Sequence, residues 1–130
     1  MEFTISLRAW PASVLHLATK EVSVTLSSPP QVPALLELLL GGNPVDNTAA
    51  YHDSSPVSYV TRNSCPTLLF QGGKDALVNP KQAELLRDKL KKEGVVNELI
   101  VYPNEGHGWH GKSLGDSFDN ITRFLGENLP

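Results

Sequence analysis

Two residues in this 130-residue chain stand where acid–base chemistry can be done. Asp75 closes the turn Gln71-Gly72-Gly73-Lys74-Asp75, and His107 lies between two glycines in Asn104-Glu105-Gly106-His107-Gly108-Trp109. Each turn follows a short apolar run, so each reads as the loop just past the carboxyl end of a strand, where open α/β sheets bind ligands. On adjacent strands the carboxylate and the imidazole come within hydrogen-bonding distance. An aspartate that accepts from Nδ1–H fixes the histidine tautomer and leaves Nε2 to take a proton from a nucleophile. The plain alternative for Asp75 is a turn residue, because Asx turns are common. A histidine at the next strand tip favours the acid–base reading.

Other candidates have competing explanations. Ser113, in Gly111-Lys112-Ser113-Leu114-Gly115, is the one literal G-x-S-x-G and hence the candidate nucleophile. It follows Asp75 and His107, and a loop rather than a strand leads into it. Ser113 with Asp116 also reads as a capping box for the last helix, a role whose loss costs about 1 kcal/mol and which accounts for the serine. Trp109 suits the wall of an acyl or aryl pocket, or equally the packing anchor of its loop. His107 and His110 form an H-x-x-H, but two ligands on a loop fall short of a zinc site. His16 and His52 read as surface residues, and Ser54, Ser55 and Ser58 as turn residues. Cys65 reads as a small half-buried thiol at the strand end opposite the active edge.

The elements that must position Asp75 and His107 are legible from Ser64 onward. Thr67-Leu68-Leu69-Phe70, between Pro66 and Gly72-Gly73, has the length and breakers of a strand buried on both faces. Asn79-Pro80 predicts an N-cap and a proline at the first helical position. Ala83, Leu86 and Leu90 then mark one helical face, with Lys89, Lys91 and Lys92 favourably placed near the C-terminus and Gly94 as stop. A second strand over Val95-Val96 and Leu99-Ile100-Val101-Tyr102 ends at Pro103. A last helix presents Leu114, Phe118, Ile121, Leu125 and Leu129. Strand, helix, strand, helix implies two parallel neighbours joined by a crossover.

The earlier part is less regular and holds six of the ten prolines, between Pro11 and Pro56. Val22 to Leu26 alternates like a strand, Val32 to Leu40 reads as a helix stopped by Gly41-Gly42, and Asn43 to Val60 as loop or a short helical excursion. We expect one α/β domain over residues 1–130, with a less regular segment over 1–60 and a βαβα unit over 64–130. So small a sheet has apolar edges to cover. The remaining residues, a second copy in a homodimer or swapped oligomer, or the rest of a larger protein would do so.

Composition narrows the class. Eleven Lys+Arg against 14 Asp+Glu, with no basic block, argue against nucleic acid. One cysteine excludes an internal disulfide. No run approaches the ~18 apolar residues of a membrane span, and Met1-Glu2-Phe3-Thr4 does not open like a signal peptide. Localisation stays open, with the cytoplasm favoured. No glycine-rich phosphate loop opens a helix, which sets aside a flavodoxin-like nucleotide binder.

Pro66 to Gln82, with Phe70-Gln71-Gly72-Gly73-Lys74-Asp75 at its centre, resembles the acid-bearing stretch of α/β-hydrolases. The likeness is closest to the prolyl-oligopeptidase-like and dienelactone-hydrolase-like esterase branch. Val101-Tyr102-Pro103-Asn104-Glu105-Gly106-His107-Gly108-Trp109 is similar to the histidine loop of the same families. Leu40-Gly41-Gly42-Asn43-Pro44 and Tyr51 to Val60 resemble the stretch before the acid strand, so the likeness runs from about residue 38 to 130. It implies a partial α/β-hydrolase fold, a mainly parallel sheet flanked by helices. Asp75 would be the acid and His107 the base of a Ser-Asp-His triad acting on a small carboxylic ester, with no metal or organic cofactor. A cysteine nucleophile is known in the dienelactone branch, but Cys65 is at the wrong strand end. The family places its serine on an elbow before the acid, and nothing before Asp75 has that form. The chain is therefore expected to match the C-terminal portion of a hydrolase and to be weakly active or inactive alone. A non-catalytic dimerisation or binding module built on the same fold is the alternative.

Overall fold

The computed structural model describes Thr4–Ser6 and residues 31–129. The strand expected over Val22 to Leu26 and the surface histidine His16 lie outside the described residues. At the centre is β2 (Thr67–Gly72), with all six residues buried. Its neighbour β3 (Asn97–Tyr102) runs parallel, Thr67 opposite Asn97 and Gly72 opposite Tyr102. On the other edge β1 (Thr4–Ser6) pairs antiparallel, Thr4 opposite Leu69. The order is β1-β2-β3, so the βαβ pair carries an antiparallel third strand drawn from the start of the chain.

Alternation along β2 divides the core into two layers. Leu69 meets Val60, Leu86, Leu90 and Val95 on one face of the sheet, which places α3 (Lys81–Lys92) there. Leu68 and Phe70 meet Trp109 and Phe124 on the other, which places α4 (Gly111–Asn128) there. The same alternation sends Leu99 of β3 to the α3 layer and Ile100 and Tyr102 to the α4 layer. β3 is nonetheless not buried on both faces as its apolar run suggests. It is an edge strand of the described sheet, and Val101 is exposed.

The helix α3 starts as its sequence predicts, within one residue. Asn79 Oδ1 accepts the Lys81 N–H at 3.0 Å, and the Asn79 carbonyl accepts the Gln82 N–H at 2.9 Å. It stops at Gly94, whose φ of 74° is left-handed. The Gly94 N–H then reaches the Lys91 carbonyl at 3.1 Å and the Val95 N–H the Leu90 carbonyl at 3.0 Å, which satisfies two end carbonyls. Before β2, α1 (Gln31–Leu40) and α2 (Thr48–Asp53) pack through Leu36 and Tyr51, and a 3-10 turn at Pro56–Tyr59 leads Val60 into the α3 layer. The excursion expected over Asn43 to Val60 is thus helical in two places.

The buried face of α4 differs from the expected stripe. Ser117, Ile121 and Phe124 turn inward, whereas Leu114, Phe118 and Leu129 are exposed. Two polar ties fix this rotation. Tyr102 Oη donates to Asp116 Oδ2 at 2.8 Å, and Arg123 Nη2 donates to both Glu98 oxygens at 2.7 Å. Periodicity offered more than one apolar stripe, and contacts from β3 select the one carrying Phe124.

These burials predict unequal costs for truncation. Leu68→Ala, at a fully buried site, lowers the unfolding free energy by about 2–5 kcal/mol. Phe118→Ala, at a residue 59% exposed, stays within about 0.5 kcal/mol of wild type. Urea unfolding followed by far-UV circular dichroism measures both.

Candidate active site

Because Gly72 lies opposite Tyr102, the loops that leave β2 and β3 start side by side. Backbone hydrogen bonds then lace them together. The Gly73 N–H donates to the Tyr102 carbonyl and the Lys74 N–H to the Glu105 carbonyl, each at 2.8 Å. The Asp75 N–H closes its own turn on the Gly72 carbonyl at 3.2 Å. This lacing brings Asp75 Oδ2 to 2.9 Å from His107 Nδ1, across 32 positions of sequence.

The two partners differ in environment. The Asp75 side chain is 2% exposed and the His107 side chain 42%. Asp75 Oδ1 accepts the Leu77 N–H at 2.8 Å and the Val78 N–H at 2.9 Å. The turn role and the pairing with histidine are therefore both present, one on each carboxylate oxygen. Burial pushes the Asp75 carboxyl up. The Val78 N–H, His107 and the Leu77 N–H more than offset this and hold it below the usual carboxylate range. An ionised carboxylate only accepts, so the proton between the pair belongs to Nδ1. Nε2 is then the free position of the neutral ring, and no other hydrogen bond to His107 occurs among the described residues.

Gln71 lies beneath the pair. Its Nε2 donates to the Gly72 carbonyl at 3.0 Å and more weakly to Asp75 Oδ2 at 3.4 Å. Its Oε1 is buried without a hydrogen-bond partner among the described residues. Turning the amide over would set that oxygen against the Asp75 carboxylate, which explains the orientation. Tyr102, whose phenol is pushed well above its ordinary range by burial and then by Asp116, supports the histidine loop from below.

The remaining sequence candidates are placed elsewhere. Ser113 is not the N-cap of α4. That helix begins at Gly111 after an extended His110, and Ser113 lies inside its first turn. Its Oγ donates to Glu105 Oε1 at 2.8 Å, tying the histidine loop to α4. Trp109 is buried, its ring 5.2 Å from that of Tyr102 and 6.1 Å from that of Phe70, so it anchors the loop by packing. His110 and His52 are exposed, and Cys65 is partly buried before β2. Sequence reading gave no role to Glu105 or Gln71. Glu105 meets Ser113 eight positions away across a loop-to-helix junction, a pairing with no periodic signature. Gln71 belongs to a polar turn whose depth only the sheet reveals.

A parallel strand pair between helical layers, with a carboxylate and a histidine meeting beyond its carboxyl ends, is the corresponding part of an α/β-hydrolase. The fold agrees with that of a butyrate-bound thermophilic esterase from the Planctomycetes species Thermogutta terrifontis, with a TM-score of 0.61 at 22% identity over 88% of this chain and 40% of that one. Residues 25–130 match the prolyl oligopeptidase family, and the chain belongs to that family. It is 34% identical over 77 residues to acylamino-acid-releasing enzyme 1 of Oryza sativa subsp. japonica, covering 58% of this chain and 10% of that enzyme. It is 30% identical over 83 residues to esterase LipC of Mycobacterium tuberculosis, covering 59% of this chain and 20% of that protein. The chain thus spans a tenth to a fifth of the length of these two relatives.

The lowered Asp75 carboxyl sets a pH dependence of stability. A folded-state value below the unfolded one, about 3.9 for aspartate, stabilises the fold above that pH. The contribution is lost as pH falls through the depressed folded value. Asp75→Asn removes this contribution and flattens the acid limb of unfolding free energy against pH, as measured by urea titrations between pH 7 and pH 2.

Proposed function

We propose that this chain supplies the acid and the base of a serine-type carboxylic ester hydrolase. The 2.9 Å contact between Asp75 and His107, with the second Asp75 oxygen held by two backbone N–H groups, carries the proposal. In that reaction His107 Nε2 takes the proton of an attacking hydroxyl and later returns one to the leaving alkoxide. Asp75 holds the ring by Nδ1 and stabilises the imidazolium, without itself becoming protonated. Membership of the prolyl oligopeptidase family and the similarity to an esterase support a carbonyl centre, and a small carboxylic ester, as the point of attack.

The nucleophile is the missing part. The Ser113 hydroxyl is engaged by Glu105, and no G-x-S-x-G precedes Asp75 in the 130 residues. An Asp–His pair without a hydroxyl to activate has no acyl-enzyme to form. The chain on its own therefore hydrolyses activated esters weakly or not at all.

A second reading is a non-catalytic dimerisation or binding module built on the same fold. Exposed apolar side chains on α1 and α4, among them Leu38 and Phe118, favour it.

One experiment separates these readings: p-nitrophenyl acetate turnover and fluorophosphonate labelling of wild type, Ser113→Ala and His107→Ala, with light scattering on the same samples. The hydrolase reading predicts turnover near that of free imidazole, lower in His107→Ala and unchanged in Ser113→Ala, with no labelled serine. Fast turnover abolished by Ser113→Ala, with label on Ser113, contradicts it. A dimer whose residual turnover ignores His107→Ala supports the module instead.

A further inference from the structure

We propose that Gly72 is a positioning residue for His107, and that its missing side chain sets the distance between the imidazole and Asp75. The proposal rests on the Asp75–His107 pairing argued above. Gly72 does not owe its identity to backbone conformation, because its φ is not in the left-handed region. It owes it to close approach. A Cβ at residue 72 would lie 1.9 Å from the Gly106 carbonyl oxygen, 2.7 Å from that of Glu105 and 2.9 Å from the Gly106 carbonyl carbon. Ordinary contact begins at 3.4 Å. All three atoms are backbone, so no flexible side-chain tip yields to make room.

The obstructed peptide is the one that leads into His107. Gly106 precedes it directly, and the Glu105 carbonyl also accepts the Lys74 N–H that joins the two loops. Gly73 extends the same contact in milder form, its Cβ position lying 2.8 Å from Pro103 Cα and 2.9 Å from the Pro103 oxygen. Asp75 cannot follow a displaced histidine. Its Oδ1 is pinned by the Leu77 and Val78 N–H groups and its own N–H by Gly72. A methyl group at residue 72 therefore moves the histidine loop by more than an ångström while the carboxylate stays, and the hydrogen bond opens. By this argument the Gly72-Gly73 pair does more than reverse the chain. It lets the acid turn and the base loop touch backbone to backbone.

The test reads the pair directly by NMR on the intact chain, without any need for turnover. Ring 15N shifts of neutral His107 report which nitrogen carries the proton. Wild type shows Nδ1–H with Nε2 bare. Asp75→Asn tests the pairing by itself: Oδ1 is already occupied by two N–H donors, so the new amide points its NH₂ at Nδ1 and reverses the tautomer. A wild-type His107 whose tautomer ignores Asp75→Asn overturns the pairing, and the positioning role with it. Gly72→Ala, folded by its amide spectrum, is expected to lose the Nδ1–H preference while Gly115→Ala, in open space, keeps it. Gly73→Ala gives a smaller loss of the same preference and is the readout if Gly72→Ala does not fold. Folded Gly72→Ala with the wild-type tautomer, or Gly73→Ala with it where Gly72→Ala is unfolded, overturns the proposal while leaving the pairing intact.

Discussion

The hydrogen bond between Asp75 and His107 depends on one constraint: β2 and β3 must end in register, with no side chain between the loops that leave them. Parallel pairing from Thr67–Asn97 to Gly72–Tyr102 sets the register, and the glycine pair removes the obstruction. The rest of the described structure serves that alignment. Leu69 packs on α3 and Leu68 and Phe70 on the α4 layer, so the central strand is gripped from both faces. Tyr102 and Trp109 pack ring against tilted ring beneath the histidine loop, and Ser113 and Glu105 close it onto α4.

The electrostatics follow from the same alignment. A carboxylate as buried as Asp75 would ordinarily be raised by desolvation, and a neutral acid could not hold an imidazolium. Two backbone N–H groups and the histidine itself reverse that tendency. The ring stays partly open to solvent, and its second nitrogen has no hydrogen bond among the described residues. On the proposed function the pair is a fixed acid and an addressable base, whose chemistry awaits a hydroxyl placed at Nε2.

Much of this was legible in the sequence, where local signals and tertiary demands coincide. The run from Thr67 to Phe70 between proline and glycine, the Asn79 cap and the Gly94 stop each state their structure in adjacent residues. Asp75 and His107 were legible because each follows a strand. What was not legible depends on partners distant in sequence. The inward face of α4 is chosen by Glu98 and Tyr102, which no helical periodicity contains. Ser113 reads locally as a cap, yet Glu105 draws it into another role. Trp109 beside a histidine reads equally as pocket wall or packing anchor, and its packing partners Phe70 and Tyr102 become visible only in the fold. The strand beside β2 comes from Thr4–Ser6, a segment too short to announce itself.

The most direct measure of the Asp75–His107 bond is a double-mutant cycle on unfolding free energy with Asp75→Ala, His107→Ala and the double variant. A bond between the two side chains predicts a coupling energy of about 0.5–3 kcal/mol, remaining after the lost Leu77 and Val78 hydrogen bonds cancel between the two arms of the cycle. Effects that add to within about 0.3 kcal/mol would mean that carboxylate and imidazole do not interact, and the account of the site would fall.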